Sequence, residues 1–188
     1  MAKFTVTPTA IADLLVVEPR VFGDERGYFM ETYNEELAPY IKHLDGSPAS
    51  FVQDNESRSR QGVLRGLHFQ RTHPQGKLVR VTEGEVYDVA VDLRRDSPTF
   101  GQWQGILLSA ENKKQFYVPE GFAHGFAVLS KMATFVYKCT RPYDPADEGG
   151  LLYNDPVLGI DWHTGALPLL LSDKDKKHPP LSTLRFAC

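Results

Sequence analysis

Apolar and polar residues alternate with a period of two along most of the chain, the pattern of strands that bury one face. Residues 86–93 (VYDVAVDL) set aliphatic or β-branched side chains against small or polar ones, and residues 77–82 (KLVRVT) do the same just before them. Glu83, Gly84 and Glu85 fall between the two runs, where a tight hairpin turn is expected. Further strands are expected over 28–33, 51–56, 63–67, 103–108, 115–118, 125–129 and 134–140. Turn-forming pairs separate them: Gly23-Asp24, Ser97-Pro98, Pro119 to Gly121, and Asp144-Pro145. Helix is scarce. Asn34 is placed to cap a short helix reaching Tyr40, and residues 109–113 suit a single turn. Many short strands with regular turns imply an all-β sandwich or small barrel of the jelly-roll kind with a few short helices, built as one domain over residues 1–188. The tail from Leu167 is rich in Pro and Lys and is expected to wrap the surface with residues 169–171 docked.

Composition narrows the partners more than the fold. With 188 residues, 41% apolar and 24% charged, the chain reads as one ordinary globular domain. A net charge of −3 argues against a general nucleic-acid binder, whose affinity depends on neutralising phosphates. An anionic ligand must then be held by a local cluster of cations. The longest aliphatic runs, 14–17 and 169–171, are far too short to span a bilayer, and the first twelve residues lack the apolar segment of a secretory signal. Two cysteines, Cys139 and Cys188, make no disulfide framework. A cytoplasmic protein with reduced thiols, no membrane partner and no nucleic-acid partner is the expectation.

The histidines bring in chemistry. His68 closes a G-x5-H pattern (GVLRGLH) and His124 a P-x-G-x2-H pattern (PEGFAH), spacings similar to the two metal-binding motifs of cupin barrels. Gln70 stands where that first motif has its second histidine, and Glu83 is not at the spacing of its glutamate. Two imidazoles fall short of a closed metal site, so the scaffold reads as cupin and the metal as absent. Arg26, Arg65 and Lys77 are charges set in otherwise strand-like segments. Any one of them taken alone is more often a solvated strand position. Strict alternation would point Arg65 and His68 to opposite faces, unless Gly66 between them supplies a bulge. Tyr137 shares parity with Phe135 and Cys139, and a hydroxyl on an inward face needs a partner there.

Six blocks carry a resemblance to a known family: 22–33 (FGDERGYFMETY), 51–55 (FVQDN), 62–70 (GVLRGLHFQ), 76–81 (GKLVRV), 97–101 (SPTFG) and 119–126 (PEGFAHGF). Together they resemble the dTDP-4-dehydrorhamnose 3,5-epimerases, from about Leu15 to Asp175. The resemblance implies epimerisation at C3 and C5 of dTDP-4-dehydro-6-deoxy-glucose on a dimeric jelly roll that uses no metal or organic cofactor. It makes His68 the general base, paired with Asp175, and Tyr137 the opposing acid. Lys77 and Arg65 would surround the sugar and its developing oxyanion, with His124 nearby. Arg26, Glu31, Gln53, Asn55, Glu148 and Lys174 would hold the nucleotide, while Phe22 and Tyr143 would stack on thymine. Residues 71–75 (RTHPQ) depart from the pattern in a loop of variable length, where His73 is expected at the surface.

Those residue types suit the reaction. A 4-keto group acidifies C3–H and C5–H by delocalising the carbanion as an enolate. Histidine, with a reference pKa of about 6.5, is largely unprotonated at pH 7 and able to accept, whereas tyrosine, at about 10, keeps its proton to give. Sibling enzymes on this barrel are the nearest alternatives: a 3-epimerase, a 5-epimerase or a 3,4-ketoisomerase. A metal-dependent cupin and a non-catalytic sugar-binding cupin are more distant ones. A homodimer gains some support from an N-terminal strand rich in Leu and Val, suited to extend another sheet's edge.

Overall fold

Inward and outward positions alternate because two antiparallel sheets face each other and share a core. This computed structural model describes residues 2–184; Met1 and residues 185–188, Cys188 among them, lie outside the described residues. The six-stranded sheet runs in the order β1 (Phe4–Pro8), β2 (Leu15–Pro19), β10 (Gln115–Val118), β7 (Lys77–Glu83), β12 (Met132–Cys139) and β5 (Gln53–Arg60). The five-stranded sheet runs β13 (Glu148–Gly150), β6 (Leu64–Gln70), β11 (Phe122–Val128), β8 (Glu85–Asp92) and β9 (Trp103–Ser109). β3 (Val21–Asp24) and β4 (Gly27–Met30) form a separate hairpin. The chain changes sheet at nearly every connection from β5 onward, as in a jelly roll, and the result is a sandwich and not a closed barrel.

The alternation sorts side chains into three apolar layers. Val79, Val81, Phe116 and Phe135 from one sheet meet Val86, Leu108, Phe126 and Val128 from the other. Leu64, Leu67, Phe69, Val89 and Val91 point outward from the five-stranded sheet, and Leu158 and Trp162, with Leu169 and Leu171 of the tail, cover them. Leu169 to Leu171 therefore dock as the sequence suggests, and a backbone bond from Leu64 N to the Leu170 carbonyl (3.0 Å) fixes them. Leu15, Val17, Leu78 and Tyr117 face outward from the six-stranded sheet onto Leu37 and Ile41.

Leu37 belongs to the short helix Glu35–Tyr40, which Asn34 caps by accepting from the Glu36 amide at 2.8 Å. It is a 3₁₀ helix, and Pro39 within it lacks the amide that an α-helix would need. Residues 109–113 make one turn only, closed from Lys113 N to the Ser109 carbonyl.

Two expectations are corrected. The turn at Glu83 to Glu85 is not a hairpin, because β7 and β8 lie in opposite sheets and do not pair. Gly84, at φ +74°, redirects the chain from one layer to the other, and a Cβ there would fall 1.9 Å from the Met132 carbonyl oxygen. The Leu- and Val-rich N-terminal strand is not free to extend another sheet either. It is β2, paired on one side with β1 and on the other with β10 of its own chain. The strand expected over 28–33 is the shorter β4, and β13 gave no period-two signal at three residues.

Candidate active site

A bulge at Gly66 decides which side chains share the cleft. Leu64, Leu67 and Phe69 all belong to the outer layer, so one residue between 64 and 67 is extra to the alternation. The pairing to β11 confirms it: His124 sits opposite His68 and Phe126 opposite Arg65, two steps on one strand against three on the other. Arg65 and His68 thus share the inward side. Gly66, at φ +118°, and Gly125 are needed there because the two backbones meet; a Cβ at Gly66 would fall 2.6 Å from the Gly125 Cα.

His68 and Tyr137 line a cavity of about 260 Å³ between the sheets, His68 from β6 and Tyr137 from β12. Asp175, in the tail, accepts a hydrogen bond from His68 Nε2 at 2.7 Å although 107 residues separate them in sequence. Its carboxyl is buried, which pushes the pKa up, yet the hydrogen bond and charge of His68, with Ser172 and the Gly66 backbone, hold it below the usual carboxylate range. Asp175 is therefore an anion fixed against one ring nitrogen, which leaves the other nitrogen of His68 to accept a proton.

Tyr137 shares its face with Phe135 and Cys139, as parity predicts. Burial, then the nearby Cys139, raise its pKa against the opposing charge of Arg65, so the phenol holds its proton. Lys77 lines the same cavity from the neighbouring strand β7. Burial pulls its pKa down, while Cys139, Asp88 and Glu148 pull it up. Arg65 is exposed and does not line this cavity; its Nε donates to Ser59 Oγ at 3.1 Å, and its charge acts on Tyr137.

The mouth of the cavity is a connected polar network. Gln53 donates to Asn55 (2.9 Å) and accepts from the Tyr143 amide (2.8 Å). Tyr143 donates to Glu148 at 2.8 Å, which pushes its own pKa up to about 12, and Lys174 donates to the same carboxylate oxygen at 2.6 Å. Five expected nucleotide-binding residues are thereby brought together by three segments far apart in sequence.

His124 is buried behind this cleft, its Nε2 2.9 Å from Asp88, and it does not line the cavity. Asp88 is fully buried and was not expected from the sequence. Its signal was an acid sharing parity with Val86 and Ala90 in the strand 86–93. Gln70, which replaces a cupin ligand, instead latches a loop by donating to the His73 carbonyl and accepting from the Asp144 amide. His73 itself is exposed. Among the described residues, one group brings three metal-capable atoms within 4.8 Å of one another: His68, Asp175 and His178. Two of these three are already joined by the 2.7 Å hydrogen bond, which a metal would have to displace.

Phe22, Arg26 and Glu31 are not brought to this cavity. Among the described residues Arg26 is paired with Asp24, two residues away at the tip of the β3–β4 hairpin, and Glu31 binds Lys3 and Asn34. Phe22, Tyr28 and Phe29 are exposed, and Tyr28 lies against Lys113 and close to Arg80 on the outer face of the six-stranded sheet. The hairpin thus stands on the opposite side of that sheet from Lys77 and Tyr137.

Known proteins agree with this architecture along almost the whole chain. A family model described as dTDP-4-dehydrorhamnose 3,5-epimerase matches residues 8–183. The dTDP-4-dehydrorhamnose 3,5-epimerase of Salmonella typhimurium is 56% identical over 177 residues, 94% of either chain. That of Pseudomonas aeruginosa is 58% identical over 171 residues, 91% of this chain and 92% of its own. The crystal structure of dTDP-6-deoxy-D-glucose-3,5-epimerase from Legionella pneumophila, in complex with dTDP-4-keto-L-rhamnose, superposes with a TM-score of 0.90 at 51% identity, covering 97% of this chain and 95% of that one.

Proposed function

The chain belongs to the dTDP-4-dehydrorhamnose 3,5-epimerase family, and on that premise we propose how its cleft inverts two carbons of one sugar. The reaction converts dTDP-4-dehydro-6-deoxy-glucose to dTDP-4-dehydro-L-rhamnose, the step that serves dTDP-L-rhamnose biosynthesis. One observation carries the mechanism: His68, held by Asp175, and a half-buried Tyr137 phenol line one cavity from opposite sheets. His68, oriented by Asp175, removes the proton beside the ketone, and the carboxylate stabilises the imidazolium that forms. Tyr137 returns a proton from the other face. Lys77 and Arg65 supply positive charge where the enolate oxygen gathers negative charge, the role a preorganised oxyanion site performs. His124, held by Asp88, backs the Lys77 side of the cleft. The residues 1–188 act as one epimerase domain, and proton NMR of the product tests the reaction: both C3 and C5 inverted is the expected result, and a single inverted centre or a moved ketone overturns it.

Fixed cations can do a Lewis acid's work, so exhaustive chelation is expected to leave turnover unchanged. A loss restored by one divalent ion would replace this mechanism with a metal-assisted one.

The nucleotide is assigned to the network of Gln53, Asn55, Tyr143, Glu148 and Lys174, with Tyr143 stacking on thymine. Phe22, Arg26 and Glu31 join it in a homodimer, where the exposed aromatic hairpin of one copy reaches the cleft of the other. Arg26→Ala and Tyr143→Ala are each expected to raise Kd for dTDP about ten- to a hundredfold and to spare chemistry on bound substrate. Unchanged affinity in both would move the nucleotide elsewhere. At low substrate concentration, mixing Arg26→Ala with His68→Ala protein should raise turnover above that of Arg26→Ala alone, because a mixed dimer holds one intact site; no increase would deny the exchange. A free, buried Cys139 and the absence of any long apolar helix among the described residues support assigning the enzyme to the cytoplasm.

A further inference from the structure

Asp175 has a second imidazole beside it that the mechanism above does not use. His178 follows the short turn Asp175–Lys177, and its ring lies flat on Gly150, where a Cβ would fall 2.1 Å from the ring. Gly150 is the β13 residue paired with His68. The two imidazoles meet edge to face, with centroids 5.7 Å apart and planes at 82°. His178 Nε2 lies 3.5 Å from Asp175 Oδ1, the oxygen that takes His68 Nε2 at 2.7 Å. That nitrogen is buried and makes no hydrogen bond. A buried polar atom left without a partner is unfavourable and calls for a reason.

We propose that His178 is a positioning residue: a neutral imidazole that braces the Asp175 carboxylate against His68 and shares its charge. The inference rests on the reading of His68 and Asp175 as the base pair. The ring lies over Gly150 and edge to face with His68, and its Nε2 is 3.5 Å from Oδ1, so a small closure of that gap makes a hydrogen bond. The charged and titratable groups that act on it are His68 on β6 and Asp175 and Lys174 on the tail, and Lys174 is itself paired with Glu148 of β13. Burial, then the charge of His68, hold the His178 pKa below the ordinary imidazole range, which keeps it an uncharged donor. Only one of the two rings takes a proton easily, because two cations on one carboxylate would repel. The acid limb of the pH profile is therefore a property of the three groups together.

The test compares His178→Phe, which fills the slot on Gly150 without a ring nitrogen, with His178→Gln, which keeps a neutral donor that does not titrate. The pH dependence of kcat and kcat/KM is measured for both, with a thermal melt as the control for folding. His178→Phe should lower kcat about three- to tenfold, the size of one neutral hydrogen bond, with KM nearly unchanged, and His178→Gln should recover most of that loss. In His178→Phe the acid limb should move to higher pH, by about half a unit, since Asp175 then serves His68 alone, whereas His178→Gln, which keeps the donor, should leave it near the wild-type position. If the phenyl ring disturbs the fold, His178→Ala, which also lacks a donor, decides in its place: a shifted limb supports the proposal and an unshifted one overturns it. A change confined to KM would also overturn it, making His178 a substrate contact. Failure of the base pair itself reads differently, as continued exchange in a His68→Ala protein.

Discussion

His68→Ala is expected to abolish product formation and to stop solvent-hydrogen exchange at C3 and C5 together. Losing a general base typically costs roughly 10²–10⁴-fold, and the other carboxylate on this side of the cavity, Glu148 of β13, is already tied to Lys174 and Tyr143. Binding of dTDP should change little, since the nucleotide network is built from Gln53, Asn55, Tyr143, Glu148 and Lys174. Asp175→Asn should be the milder change: it disturbs the tautomer and the imidazolium's stability but leaves the imidazole in place. Exchange measured by proton NMR in deuterated water decides the point. If wash-in continued near the wild-type rate in His68→Ala, another group would be the base and Asp175 would lose its role.

Tyr137→Phe separates the two hands of the mechanism. His68 and Tyr137 approach the cavity from different sheets, so proton removal on one side does not need a donor on the other. Once the enolate forms it has two fates. A proton returned from the His68 side regenerates substrate, and one delivered from the Tyr137 side inverts the centre. The Phe variant keeps the ring's packing near Phe135 and removes only the donor. Epimerised product should fall by roughly 10²–10⁴-fold. Deuterium should still wash into substrate, given that the proton on His68 exchanges with solvent before it returns. Equal loss of wash-in and product would make Tyr137 a residue that only positions the sugar, and normal product would remove it from the mechanism. Because burial raises the Tyr137 pKa above its ordinary value, ionisation of this phenol should not end activity until pH exceeds about 10.

Much of this site was legible before the fold was known, for reasons that differ from residue to residue. His68, Lys77 and Tyr137 stand in long strand-like blocks whose parity fixes a face, and parity was enough to group Tyr137 with Phe135 and Cys139. Asp175 had no such support. It lies in a tail without period-two alternation, and only the resemblance pointed to it, yet the tail folds back over the five-stranded sheet and delivers it to His68. His178 and Asp88 were missed because each looked ordinary in its own segment.

The sequence by itself determined most of the strands, the alternation of inside and outside along them and the reaction, because alternation is local and family motifs are contiguous. It did not determine which strands would pair. The run at 83–85 looks like a hairpin, but β7 and β8 belong to different layers, a choice made by how all the apolar faces close on one core. Nor did it determine that Arg65 and His68 share a side, since that depends on one unpaired residue at Gly66 and on the close passage of Gly125 across it. The remoteness of Phe22 and Arg26 from the cavity is of the same kind. Period-two alternation tells each residue inside from outside; only the order of strands in the two sheets tells it which neighbours it will meet there.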